Sequence, residues 1–185
     1  MLSRLFIHLI EPLTPNRRLF IVWLLFVAFF FWMTRLDDQL KAVGGGVGIL
    51  DLQFAFTAEQ GRQILQDWGE TGRALARKGL AWDWIYPLVY GLAFGASLLR
   101  LSGPENRWRK NLILLPLWTI LFDYGENLLH WQVLRTYPIL DGSQIRLASI
   151  WAVVKWLLVG VMIFMLGYKL VQRQSRLNRA VDENI

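Results

Sequence analysis

The segment ILFDYGENLLHW, residues 120–131, sets Asp123, Glu126, Asn127 and His130 at i, i+3, i+4 and i+7, the spacing of a single helix face. Two carboxylates can hold a cation or move a proton. An imidazole can change its charge near neutrality, and an amide can donate and accept hydrogen bonds. Asp83, Tyr86, Pro87 and Tyr90 repeat the spacing in an earlier stretch, and a later one carries a single charge, Lys155. All three stretches are otherwise apolar, and an ionised side chain at mid-membrane costs about 2.5–3.5 kcal/mol. These groups are therefore expected to face one another or a wet cavity. One ammonium compensates one carboxylate. The surplus acid among Asp83, Asp123 and Glu126 must carry a proton, bind a cation or meet water.

The expected roles follow. Lys155 neutralises Glu126, while Asp83 and Asp123 set the proton or cation count. His130 is the switchable group near the mouth, and Tyr86 and Asn127 donate hydrogen bonds. The plain alternative is a structural polar knot, with Lys155 and Asn127 tying helices together by hydrogen bonds worth about 0.6–2 kcal/mol each. Glu126 and His130, with Asp123 or Asp83, could supply metal ligands. One histidine among carboxylates is a weak metal signal, so no metal and no cofactor is assigned.

The elements that must position these residues are membrane helices. The chain has 185 residues, 55% of them hydrophobic and 18% charged, and its mean hydropathy is positive. That composition excludes disorder and predicts a membrane protein of one domain. The absence of cysteine excludes thiolate catalysis, zinc–thiolate sites and iron–sulfur clusters. Ten tryptophans suit two bilayer interfaces, where indole is half buried and half wet. The first apolar stretch ends in FFFWMTR with no small-residue cleavage site, so it is expected to be a retained helix rather than a signal peptide.

The hydropathy pattern predicts an all-α membrane protein, a four-transmembrane-helix bundle with spans at residues 15–35, 80–101, 108–134 and 144–172. Thr14 and Pro15 are expected to start the first, as N-cap and first helical residue. Residues 1–12 carry Leu2, Leu5, Phe6 and Leu9 on one face and predict an interfacial amphipathic helix. Turns are expected near Gly103–Pro104 and in residues 137–143. Residues 36–79 are expected to form a small outer cap: a glycine turn, a short strand with Leu50, Leu52, Phe54 and Phe56 on one side, then an amphipathic helix from about residue 58 to 78 opened by Thr57 and Gln60. Residues 173–185 are a basic tail.

Charge placement orients the chain. Arg4, Arg17 and Arg18, then Arg100, Arg107, Arg109 and Lys110, then Lys169, Arg173, Arg176 and Arg179 fall on one side, while acids nearly balance the bases on the other. The positive-inside rule then predicts both termini in the cytoplasm. The net charge of +6 then needs no nucleic acid, since anionic headgroups suffice as partners for the basic tails. Counting from the turns sets Asp83 level with Glu126, Tyr86 with Asp123, Tyr90 with Thr119, and Lys155 with Gly125 and Glu126, to within one helical turn. Gly91 and Gly95 form a GxxxG face suited to close helix approach, within the chain or to a membrane protein partner.

GILDLQFAFT (48–57), YPLVYGL (86–92), LFDYGENL (121–128) and RLASIWAVVKWLL (146–158), in that order, resemble a group of four-span bacterial membrane proteins. The resemblance implies a bacterial inner-membrane location and one recurring pattern joining the Asp–Glu–Asn face to Lys155. It brings no activity, substrate or cofactor. The functional expectation is a buried polar pocket of Asp83, Tyr86, Asp123, Glu126, Asn127, His130 and Lys155, binding an ion, a small polar ligand or a lipid headgroup. The alternatives are an accessory subunit of a larger membrane complex and a lipid-modifying enzyme, with a carboxylate or His130 as general base.

Overall fold

A computed structural model of the chain describes residues 2–102 and 109–182. The expected turn near Gly103–Pro104, with Arg107, lies outside the described residues. Helix α1 (Leu2–Ile10) passes through a 3-10 turn at Glu11–Leu13 into α2 (Asn16–Val43). Three shorter helices follow: α3 (Ile49–Gln53), α4 (Ala58–Asp67) and α5 (Gly69–Trp82). The remaining helices are α6 (Tyr86–Leu101), α7 (Arg109–Thr136) and α8 (Gly142–Asp182). Four segments are long and apolar enough to cross a membrane: Asn16–Val43, Gly69–Leu101, Asn111–Thr136 and Gly142–Ser175. The chain is thus an all-helical, multi-pass membrane protein by length and composition.

The expected short strand is a helix, and there is no strand among the described residues. The alternation of Leu50, Leu52, Phe54 and Phe56 does not reflect a buried strand face. Leu52 is buried, but Leu50, Phe54 and Phe56 are each about 40% exposed, at 43%, 41% and 39%. Asp51 accepts the Gly48 amide at 2.7 Å and Asp37 accepts the Ile49 amide at 2.7 Å, so carboxylates cap the first turn of α3. The amphipathic helix expected over residues 58–78 is two helices. Thr57 accepts the Gln60 amide and starts α4 as expected. The break falls at Gly69, whose φ of +58° is left-handed backbone that glycine adopts without steric penalty.

Other boundaries also move. Thr14 closes the 3-10 turn by donating to the Glu11 carbonyl at 2.8 Å, so α2 starts after Pro15, without Thr14 as its cap. α2 and α8 run past their expected ends, α8 through most of the tail. The second span does not begin afresh at residue 80. Helix runs from Gly69, breaks at Asp83–Ile85 and resumes with Pro87 in the first turn of α6, where its missing N–H is no loss.

Packing divides into two ends. Phe6 and Ile10 of α1 join Ala96, Leu99 and Ile113 in an apolar cluster. At the far end α3 and α4 pack on α7 and α8 through Leu52, Leu65, Trp68, Val133, Leu134 and Ile145. Between these clusters α6, α7 and α8 approach closely. A Cβ on Gly91 would run into Ile120, and one on Gly125 into the Trp151 ring. Gly95 faces Phe6 and Ile10, so the Gly91/Gly95 face is filled by the chain's own side chains.

Candidate functional site

The i, i+3, i+4, i+7 face of α7 points into the protein. Asp123, Glu126, Asn127 and His130 are all buried, with Glu126 fully enclosed at 0% exposure. α7 can present this face because Gly125 lets Trp151 of α8 lie against its backbone. That contact brings Lys155, one turn further along α8, to the same depth. Lys155 Nζ lies 2.7 Å from Glu126 Oε2 and 3.8 Å from Asp123 Oδ1. The matching of Lys155 with Glu126 by counting from the turn is therefore correct.

The two carboxylates are treated differently. Asp123 accepts a hydrogen bond from Tyr90 Oη at 2.8 Å and another from Asn127 Nδ2 at 3.1 Å. Tyr90 thus meets Asp123 rather than Thr119, one turn away along α7. Glu126 has the Lys155 ion pair at Oε2 and borders the Gln53 side chain, while its Oε1 has no hydrogen-bond partner. His130 Nδ1 stands 3.6 Å from Glu126 Oε1. Neither ring nitrogen of His130 has a hydrogen-bond partner. Among the described residues, every unpartnered buried side-chain nitrogen or oxygen except Ser102 Oγ belongs to Glu126, Asn127 or His130. Buried polar atoms are seldom left without a partner, so this concentration marks the face.

Two sequence-predicted residues border the cluster from the α5–α6 side. Asp83 lies in the break between α5 and α6, and its backbone carbonyl accepts from Asn127 Nδ2 at 3.1 Å. Tyr86 stacks on Phe26 and Phe29 with ring centroids 6.1 and 6.3 Å away and meets Tyr90 edge-on at 5.5 Å. His130, expected near the mouth, is 1% exposed. It lies beside the Leu52 carbonyl, beneath α3.

Gln53 was not anticipated. It comes from α3, is buried, borders Glu126 and accepts a hydrogen bond from Trp156 Nε1 at 3.1 Å. A polar residue inside the apolar run LDLQFAF was the available signal. The end of this segment is fixed at Phe56, whose φ of +52° is rare for an aromatic residue and whose amide donates to Ser149 Oγ at 3.1 Å.

A cleft of about 60 Å³ between α2, α3 and α5 is lined by Asp37, Gln53 and Asp83 among apolar residues. Gln53 and Asp83 form a wall shared with the buried cluster. Among the described residues no three of His, Asp and Glu converge as a metal-binding set. The ammonium of Lys155 takes the position between Asp123 and Glu126 that a bound cation would occupy. The arrangement can hold a proton, pair an anion with Lys155, or offer Glu126, Asn127 and His130 to a polar ligand. No family model, curated protein or solved structure matches the chain.

Proposed function

We propose that the chain is a bacterial inner-membrane protein that binds a small polar ligand, an ion or a lipid headgroup at the cluster around Glu126. Both termini lie in the cytoplasm, so the cluster sits in the outer half of the bilayer. The four long helices form the bundle, and α3 and α4 act as a cover over its outer end. The cleft beside Gln53 and Asp83 is the entry route. One observation carries this reading: Glu126 Oε1, Asn127 Oδ1 and the two ring nitrogens of His130, buried without hydrogen-bond partners, share one helix face beside Lys155. A structural knot would be expected to satisfy its own members, as Asp123 is satisfied.

The test is thermal unfolding of the purified chain against inorganic cations, inorganic anions and glycerol phosphate, compared with Glu126→Gln. A ligand at a hundredfold its Kd stabilises the native state by about 2.7 kcal/mol. At least one probe should raise the Tm of the native chain and leave that of Glu126→Gln unmoved. If every probe shifts both chains alike, the cluster is a structural knot.

A further inference from the structure

A second cleft lies on the outer surface, away from the buried cluster, with a mostly apolar wall and basic side chains among its lining residues. Trp32, Arg35, Leu36 and Gln39 stand at i, i+3, i+4 and i+7 of α2 and, with Lys78 of α5, line a cleft of about 220 Å³. At a liquid share of about 30 Å³ per water, that is the space of roughly seven waters, enough for a phosphate with its glycerol.

The charge of the basic lining residues is uncompensated. Among the described residues neither Arg35 nor Lys78 belongs to an ion pair. Asp37 is engaged with Lys41 at 2.6 Å and with the Ile49 amide. Asp38, the next acid in sequence after Asp37, carries one negative charge against two positive.

The depth is that of a headgroup. Arg35 follows Arg18 by seventeen positions on one helix, about 26 Å at 1.5 Å per residue, close to the ~30 Å of a hydrocarbon core. With Arg18 at one surface, Arg35 reaches the other. Trp32 meets Trp82 edge-on at 5.8 Å, and both rings are exposed at 42% and 38%, as in an interfacial aromatic belt.

We propose that this cleft binds the phosphodiester headgroup of an anionic glycerophospholipid in the leaflet opposite the N-terminus. Arg35 offers a forked pair of donors to phosphate oxygens. Lys78 adds a point charge from the facing helix, Gln39 an amide, and Trp32 an apolar wall beneath the glycerol. Two cations around one phosphate disfavour a choline headgroup, which would bring a third positive charge. The proposal shares with the proposed function only the placement of the helices across a bilayer.

The experiment titrates phosphatidylglycerol into the detergent-solubilised full chain and counts bound lipid by native mass spectrometry. Parallel arms use phosphatidylcholine, inorganic phosphate and glycerol phosphate. Phosphatidylglycerol should bind the native chain, and roughly 30-fold more weakly the Arg35→Gln/Lys78→Gln double variant, at about fivefold per basic residue. The Arg35→Lys/Lys78→Arg variant should restore most of the affinity. Glu126→Gln should bind as the native chain does, whatever it does to small-ligand binding at the cluster. Should the double variant prove poorly folded, Lys78→Gln alone, at an exposed side chain, should lose about fivefold. Equal binding by native chain and variants overturns the proposal. Inorganic phosphate binding as tightly as the lipid overturns it as well, by making this a free-anion site.

Discussion

Where α6 and α7 meet α1, the contact is apolar: Phe6 and Ile10 seat against Ala96, Leu99 and Ile113, with Gly95 giving room for the Phe6 ring. Further along the same two helices Tyr90, Asp123, Glu126 and Asn127 bring polar and charged groups to an equally buried place. The first region is governed by volume, since each atom removed leaves a gap. The second is governed by charge, since the cost of a change depends on which sign is left behind. Similar burial therefore predicts different responses to substitution.

Lys155→Met has the largest expected effect, because it leaves Asp123 and Glu126 buried together without their cation. The expected loss is about 3–5 kcal/mol, the range for breaking a buried ion pair, read from thermal unfolding in detergent. Glu126→Gln leaves Lys155 facing Asp123 and should cost less. A Lys155→Met chain as stable as the native one would remove the distinction between the two regions.

Phe6→Ala probes the apolar end. The side chain is 7% exposed, and truncation should cost about 3 kcal/mol, the low end for buried phenylalanine. The loss should not depend on pH. Protease cleavage near α1 should rise in step with it, and cleavage unchanged from the native chain would mean that the seat contributes little.

The smallest effect is expected at Asp141, just before α8. Its carboxylate accepts the Ser143 amide at 2.8 Å and the Ser143 hydroxyl at 2.7 Å. The hydroxyl first, then the amide, hold its pKa below the ordinary 3.8. A depressed carboxyl contributes stability above its unfolded pKa and loses it as pH falls through the folded one. Asp141→Asn should therefore be slightly less stable than the native chain near neutrality. The two melting curves should converge below pH 3.8. A gap that persists in acid would assign the effect to shape rather than charge.

The long elements and the polar face were legible because each follows from local periodicity. Three- and four-residue spacing put Asp123, Glu126, Asn127 and His130 together, and a short connection put Lys155 opposite Glu126. What failed depends on tertiary contact. Seven residues of alternating polarity fit a strand or a short helix, and the Asp37 and Asp51 carboxylates decide for the helix at Gly48–Ile49. Gln53 reaches Glu126 only because α3 folds back over α7 and α8. Tyr86 turns to Phe26 and Phe29 because α2 packs beside α6, a neighbour that spacing within one segment does not reveal.

The break at Asp83–Ile85 fixes the register between neighbouring helices. An unbroken helix keeps its carbonyls for itself. This one leaves two for α7: Asp83 O takes Asn127 Nδ2 at 3.1 Å and Trp84 O takes Tyr124 Oη at 2.9 Å. Asn127 and Tyr124 are three residues apart, so together they work as two teeth of a ratchet. Sliding α7 by one turn, about 5.4 Å, would disengage both at once. A greasy surface alone would let helices slip past one another, and these two teeth hold Glu126 at the height where Lys155 meets it.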